Sequence, residues 1–274
     1  MRTTHLVTLL AGLALVAAAT VTHAQAREEG RLLLASQVLE EMHGGARDQA
    51  IPDRLLQRAY GIAVIPDMTK IAWFVGGRRG HGALVVRDKD GRFSSPIFVT
   101  MTGGSFGFQW GVESTDIVLV FTTPKGIQGI NGGKVTLGGD LSAAAGPVGR
   151  DALAATDASF KAEVYSYSRS RGAFVGLALD GTVIAIDDDA DAAFYRKPGV
   201  LAGDIMSGSV RSDDDSARRF LAAVTTSTEG QRQASAAPAP RPAPPPAAPT
   251  PPPAAPAGAQ SFPLADPKPG SEPK

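Results

Sequence analysis

From residue 62 onward the apolar residues of this chain come in short runs punctuated by glycine, a rhythm that points to strands. Residues 62–65, 71–75 and 117–121 are such runs. Phe106, Phe108, Trp110 and Val112 alternate with Gly107, Gln109, Gly111 and Glu113, which is the pattern of a strand with one covered face. Residues 83–86 and 93–101 flank Asp90-Gly91, and residues 173–179 and 182–186 flank Asp180-Gly181. Asp-Gly supplies the positive φ angles of a tight type I′ turn, so both pairs read as hairpins. The 31 glycines suit tight bends and close strand crossings better than a helical fold.

Helical spacing is confined to the N-terminal side. Residues 28–42 place Leu32, Leu33, Leu34, Val38, Leu39 and Met42 on a wide stripe that Gly44-Gly45 ends. A second helix is expected from Pro52 and Asp53 through Leu55, Leu56, Arg58 and Ala59, with Gly61 placed to cap it. The fold class is therefore α+β: N-terminal helices packed on a curled, mostly antiparallel β-sheet or partly open barrel.

The two ends stand apart. Arg2, the apolar stretch 6–21 and small residues at Thr22/Ala24 or Ala24/Ala26 match a cleavable secretory signal over residues 1–26. That stretch is short against the roughly 20 apolar residues a membrane span needs. An exported, periplasmic or secreted protein is expected. At the other end, 15 of the 21 prolines fall in residues 234–274. This leaves a domain over residues 27–215 and a Pro/Ala-rich disordered tail over 216–274.

Lys+Arg and Asp+Glu both number 27, which disfavours a nucleic-acid binder. The absence of cysteine excludes disulfides, thiolate zinc sites, iron–sulfur clusters and a thiol nucleophile. Gly103-Gly104-Ser105-Phe106-Gly107 has the spacing of a nucleophile elbow, but a strand pattern follows it and no histidine occurs after His81. Asp187, Asp188, Asp189 and Asp191, like Asp213–Asp215, lack the glycine and glutamate of a calcium loop and read as solvated acidic turns. Trp73, Phe74 and Trp110 read as core. No catalytic group, metal or cofactor is expected.

Gly76-Gly77-Arg78-Arg79-Gly80-His81-Gly82 lacks the spacing of a phosphate loop. It reads either as a solvated turn between strands or as an electropositive patch on flexible backbone. In the second reading Lys70, Arg78, Arg79, His81, Arg87, Lys89 and Arg92 meet lipid phosphate, to which arginine forks are suited.

An ordered series of segments resembles the SYLF lipid-binding domain family over about residues 52–200. It comprises Ala59-Tyr60-Gly61-Ile62-Ala63-Val64-Ile65-Pro66, the segment 76–84, Ser95-Pro96-Ile97-Phe98 and Gly104–Gly111. It continues through Gly138-Gly139-Asp140, Ala145-Gly146-Pro147-Val148-Gly149 and Tyr165–Gly172. Family members tend to show an Asn before a Phe-Tyr-Gly, where this chain has Asp191 and Phe194-Tyr195-Arg196. The resemblance implies a non-enzymatic domain that binds membrane phospholipid, and the basic residues named above point to anionic head groups. The alternative is a cell-envelope scaffold that binds a protein or cell-wall polymer, with the tail as spacer.

Overall fold

The computed structural model describes residues 2–45, 49–72, 75–106, 111–154, 160–170 and 173–229. The chain divides into a compact unit, Met1–Ala237, and a second, Pro238–Lys274, which lies outside the described residues. Trp73, Phe74 and Trp110 lie outside them too.

Among the described residues, seven helices and nine strands follow one another along the first unit. They are α1 (Arg2–His43), α2 (Asp53–Gln57), β1 (Gly61–Ala72), β2 (Val75–Val86), β3 (Ile97–Phe106), β4 (Gly111–Phe121), α3 (Pro124–Asn131), β5 (Lys134–Thr136) and β6 (Ala143–Ala145). Then come α4 (Gly149–Ala154), β7 (Val164–Ser170), β8 (Ala173–Gly176), β9 (Val183–Ile186), α5 (Asp188–Phe194), α6 (Ala202–Met206) and α7 (Asp215–Glu229). The strands form one sheet in the order β5-β9-β3-β2-β1-β4-β7-β6, with β8 added on β7. Every pairing is antiparallel except β6 with β7. The α+β expectation holds.

The continuous apolar runs have a physical reason: both sheet faces are covered. Ile62 and Val64 of β1, with Val118 and Val120 of β4, join a core under Leu32, Leu39 and Met42 of α1 and Phe220 of α7. Ala63 and Ile65, with Ile117, Leu119 and Phe121, point the other way into a second core. Ile130 of α3, Ile184 of β9 and Ile205 of α6 complete it. Alternate residues thus serve different cores, and no polar face remains to interrupt the run.

Three expectations need correction. The Gly76–Gly82 segment is no loop; it lies inside β2, paired with β1 and β3. Its glycines answer to close packing. A Cβ on Gly82 would stand 2.1 Å from the Val64 carbonyl oxygen, and one on Gly80 would stand 2.5 Å from Ile65 Cγ2. Gly80→Ala meets the branched side chain of the fully buried Ile65, with Met68 Cβ at 3.2 Å, so it should cost about 1–3 kcal/mol, the usual penalty of overpacking. A urea midpoint equal to wild type would show that Ile65 moves aside freely.

The second Asp-Gly hairpin does not form. Gly181 has φ 73° and turns the chain, but β8 pairs with β7 while β9 pairs with β3 and β5. Turn chemistry reverses a chain locally without choosing its neighbour. The first hairpin does form, between β2 and β3, though with positive φ at Gly91 alone rather than at both central residues.

The folded part also runs past residue 215. In α7, Ala217, Phe220, Ala223 and Val224 are buried in the α1-side core. Their i, i+3, i+6, i+7 spacing is that of a helix covering a core. On α1, Val38 is likewise buried, so the stripe of residues 28–42 covers the sheet. Leu33 and Leu34 are its exposed apolar residues.

Candidate functional site

The site is set by a bulge in β1. Ile65 stands opposite Ile117 and Met68 opposite Thr115, so β1 carries one residue more than β4 in this stretch. The same excess holds against β2, where Val64 faces Ala83 and Thr69 faces Arg79. Pro66, which has no N–H to donate, and Asp67, with φ 49°, occupy the interruption. The Asp67 N–H donates to Asp116 Oδ1 (3.1 Å), and Asp67 Oδ1 accepts from Ser114 Oγ (3.0 Å). One extra residue inverts the facing of every side chain beyond it. Met68 therefore joins Ile65 on the face opposite α1, and Lys70 follows it there.

Lys70 pairs across the sheet with Arg78 of β2, and both line a cavity of about 530 Å³. Met68, Ile117 and Leu177 give it apolar surface; Thr115, Ser168, Ser170 and Asp180 give it polar atoms. Arg78 Nη2 donates to Thr182 Oγ1 (3.2 Å), which holds the guanidinium in place. Arg78 Nε is buried with no hydrogen-bond partner among the described residues. Desolvation by burial pulls the Arg78 pKa below its ordinary value. Gly103, opposite Arg78, leaves this arrangement its room: a Cβ there would lie 3.0 Å from Arg78 Nε and 2.9 Å from Thr182 Oγ1.

The other five predicted cations are elsewhere. Arg79, exposed, alternates with Arg78 and so projects from the opposite side of β2. His81 Nδ1 lies 3.3 Å from Asp187 Oδ2, beneath α1. Arg87, Lys89 and Arg92 line a second cavity, of about 510 Å³, beside the β2–β3 turn. There Arg92 pairs with Asp88 and Asp90, while Arg87 stacks on Phe93 at 4.5 Å and donates to the Ala59 carbonyl. Asp88 has its pKa lowered, first by the Arg92 backbone N–H. The seven residues are thus split among separate places: Lys70 and Arg78 share one cavity, Arg87, Lys89 and Arg92 another, and Arg79 and His81 lie apart from both. Sequence reasoning missed Asp180 and Thr182, which the chain brings in from beyond β8. Spacing gives no signal for them.

Under α1 lies a polar network. Glu28, fully buried, pairs with Arg31 at 2.7 Å, though without hydrogen-bond geometry, and with Arg27 at 2.9 Å. Asp187 receives Arg31 (3.7 Å) and His81, and its Oδ1 caps α5 by accepting from the Ala190 N–H. Asp191, also fully buried, accepts from the Phe98 N–H through Oδ1 (2.9 Å), while Oδ2 has no hydrogen-bond partner among the described residues. Desolvation raises its pKa to about 8, reinforced by Asp188, Asp187 and Glu28. The acidic residues at 187–191 therefore cap and anchor a helix. Among the described residues no group of three or more His, Asp or Glu is placed to hold a metal ion.

Gly103, Gly104 and Ser105 lie within β3, whose next described element is the strand β4, so the strand-to-helix turn of a nucleophile elbow is absent among the described residues. Fold and site together define an α+β domain with an open, two-cored sheet and a cationic, part-apolar cavity on one face. Residues 102–227 match the family model described as "Ysc84: Las17-binding protein actin regulator". The chain is 39% identical over 182 residues to "LAS seventeen-binding protein 3" of Saccharomyces cerevisiae, covering 65% of this chain and 39% of that protein. It is 31% identical over 164 residues to "SH3 domain-containing YSC84-like protein 1" of Xenopus laevis, covering 60% and 49% respectively. Residues 102–227 thus carry a domain of this Ysc84, or SYLF, family. The chain spans about two fifths to one half of the length of these relatives.

Proposed function

We propose that this protein is a non-enzymatic phospholipid-binding protein of the cell envelope that associates with anionic lipid head groups. The observation that carries the reading is the cross-strand pair Lys70 and Arg78 on one cavity wall. Two adjacent cations, one with an unpartnered N–H, suit phosphate oxygens better than any neutral group. Export is part of the reading and rests on Arg2 followed by the apolar stretch 6–21. Co-sedimentation with vesicles, with and without phosphatidylglycerol, tests it. Each basic residue near an anionic surface is worth about 1 kcal/mol, so Lys70→Glu with Arg78→Glu should remove ~2–4 kcal/mol, roughly 30- to 1,000-fold in affinity. The loss should shrink as salt rises. Arg79→Glu, on the opposite side of β2, should change binding little. A folded double variant that binds as well as wild type would refute the assignment.

A second reading is favoured by the relatives' names: a scaffold that binds a protein partner, as a Las17-binding protein is described as doing. Vesicle binding absent at every composition would favour it.

A further inference from the structure

The cavity beside Lys70 and Arg78 does more than add charge to a surface, because its anionic-ligand end and its apolar wall are contiguous. We infer that it takes up one amphiphile at a time, a phosphate monoester carrying a single alkyl chain, with the phosphate at Arg78 and Lys70 and the chain along Met68, Ile117 and Leu177. This rests on the lipid-binding reading and narrows it from a membrane surface to a single molecule in a cavity.

Size comes first. About 530 Å³ falls within the roughly 300–1,000 Å³ of small-molecule sites, a volume that a flat electrostatic contact does not need. The lining is divided in the way an amphiphile is. Met68 and Ile117 are buried members of the core on that face, and Val175 of β8, 47% exposed, is an apolar residue in the cavity wall. An alkyl chain laid against Val175 and the half-buried Leu177 would cover apolar surface that is otherwise open to water.

The anionic end is preorganised. Thr182 Oγ1 holds Arg78 Nη2, and Gly103 keeps the space beside the guanidinium clear. The β1 bulge brings Lys70 to the same wall; with an unbroken period it would face α1. Arg78 Nε, buried and without a partner, is a charged donor whose desolvation nothing in the described protein repays. A phosphate oxygen would supply the missing acceptor, and its second charge would meet Lys70. Asp180, in the same lining, disfavours a head group with further anionic charge.

Calorimetric titration of the full chain with dodecyl phosphate, kept below its micelle concentration, tests the inference. One-to-one binding is expected, with inorganic phosphate at least 100-fold weaker. Arg78→Gln should weaken it tenfold or more by removing the charge, and Val175→Asp, at an exposed position on β8, should do so by spoiling the apolar wall. Lys70→Gln provides the same comparison if Arg78→Gln unfolds. Inorganic phosphate binding as tightly as dodecyl phosphate would overturn the amphiphile and leave a phosphate site. Phosphatidylglycerol vesicles binding while dodecyl phosphate does not would overturn the cavity inference and leave surface association standing. Dodecyl phosphate binding without vesicle binding would support the cavity and sink surface association. Binding of none would overturn the inference.

Discussion

Truncation after Ser212 is expected to abolish the cooperative unfolding transition, whereas truncation after Gln233 should leave the melting temperature nearly unchanged. The first cut removes α7, and with it Ala217, Phe220, Ala223 and Val224 from the core shared with α1 and α2. Losing a single buried phenylalanine costs about 3–5 kcal/mol, and whole-domain stability is commonly about 5–15 kcal/mol. Removing the helix would also uncover Leu32, Leu39, Leu55 and Leu56, all fully buried. The second cut removes a segment rich in proline and poor in large apolar residues, which has little to bury. Thermal unfolding followed by circular dichroism decides both. A cooperative transition surviving the first cut would show that α7 merely rests on the domain; a drop of many degrees after the second would show that the proline-rich segment stabilises it.

Asp191→Asn is expected to flatten the pH dependence of stability and to stabilise the protein most at pH 8 and above. The wild-type carboxyl has a folded pKa of about 8, raised mainly by desolvation, against an unfolded value of about 3.9. Between those values the folded state holds a proton that the unfolded state has released. Stability is therefore fully present below about pH 4 and is lost as pH rises, at up to about 1.4 kcal/mol per unit, until ionisation is complete above pH 8. Integrated over the window this amounts to several kcal/mol. Asparagine keeps an acceptor for the Phe98 N–H and cannot ionise beside Asp187, Asp188 and Glu28. A protonated aspartic acid is the closest ionisable substitute for the asparagine that the family resemblance leads one to expect here. Melting curves for the two proteins from pH 4 to 9 should converge at the acid end and separate toward the alkaline end. Parallel curves would mean that Asp191 is already ionised in the folded wild type.

The two predictions bear on different layers of the same architecture. Asp191 ties α5 to the start of β3, next to the network in which Glu28 and Arg31 of α1 meet Asp187 and His81. At its C-terminal end α1 is tied by Glu41 to Arg169 of β7 and by His43 to Asp53 of α2. The part of α1 from Glu28 to His43, held by ion pairs at either side of a buried apolar stripe, belongs to the domain, and that buried stripe is not available to a membrane while the helix stays docked.

What the amino-acid sequence determined by itself was the local grammar. Apolar periodicity gave strands at 62–65 and 117–121, an i, i+3, i+7 stripe gave the docking face of α1, and Asp90-Gly91 gave a reversal between two strands. All of these depend on neighbours a few residues apart. The α+β class follows from them, since such strands and helices must cover one another. Only the tertiary structure decided that the glycines at 80 and 82 serve a strand passing a bulge, because their reason is the Val64 carbonyl and the Ile65 side chain across the sheet. It likewise decided that β9 joins β3 instead of β8, and that α7 completes the core. The seven cations were legible as a set but not as a site. Facing in a sheet alternates with each residue, so Arg78 and Arg79 part company, and one inserted residue at Pro66-Asp67 turns Lys70 toward Arg78. Asp180 reaches the same cavity, and Thr182 reaches Arg78 on its wall, from about a hundred residues away along the chain. Spacing carries no record of such a meeting, because long-range packing and sheet register bring these residues together.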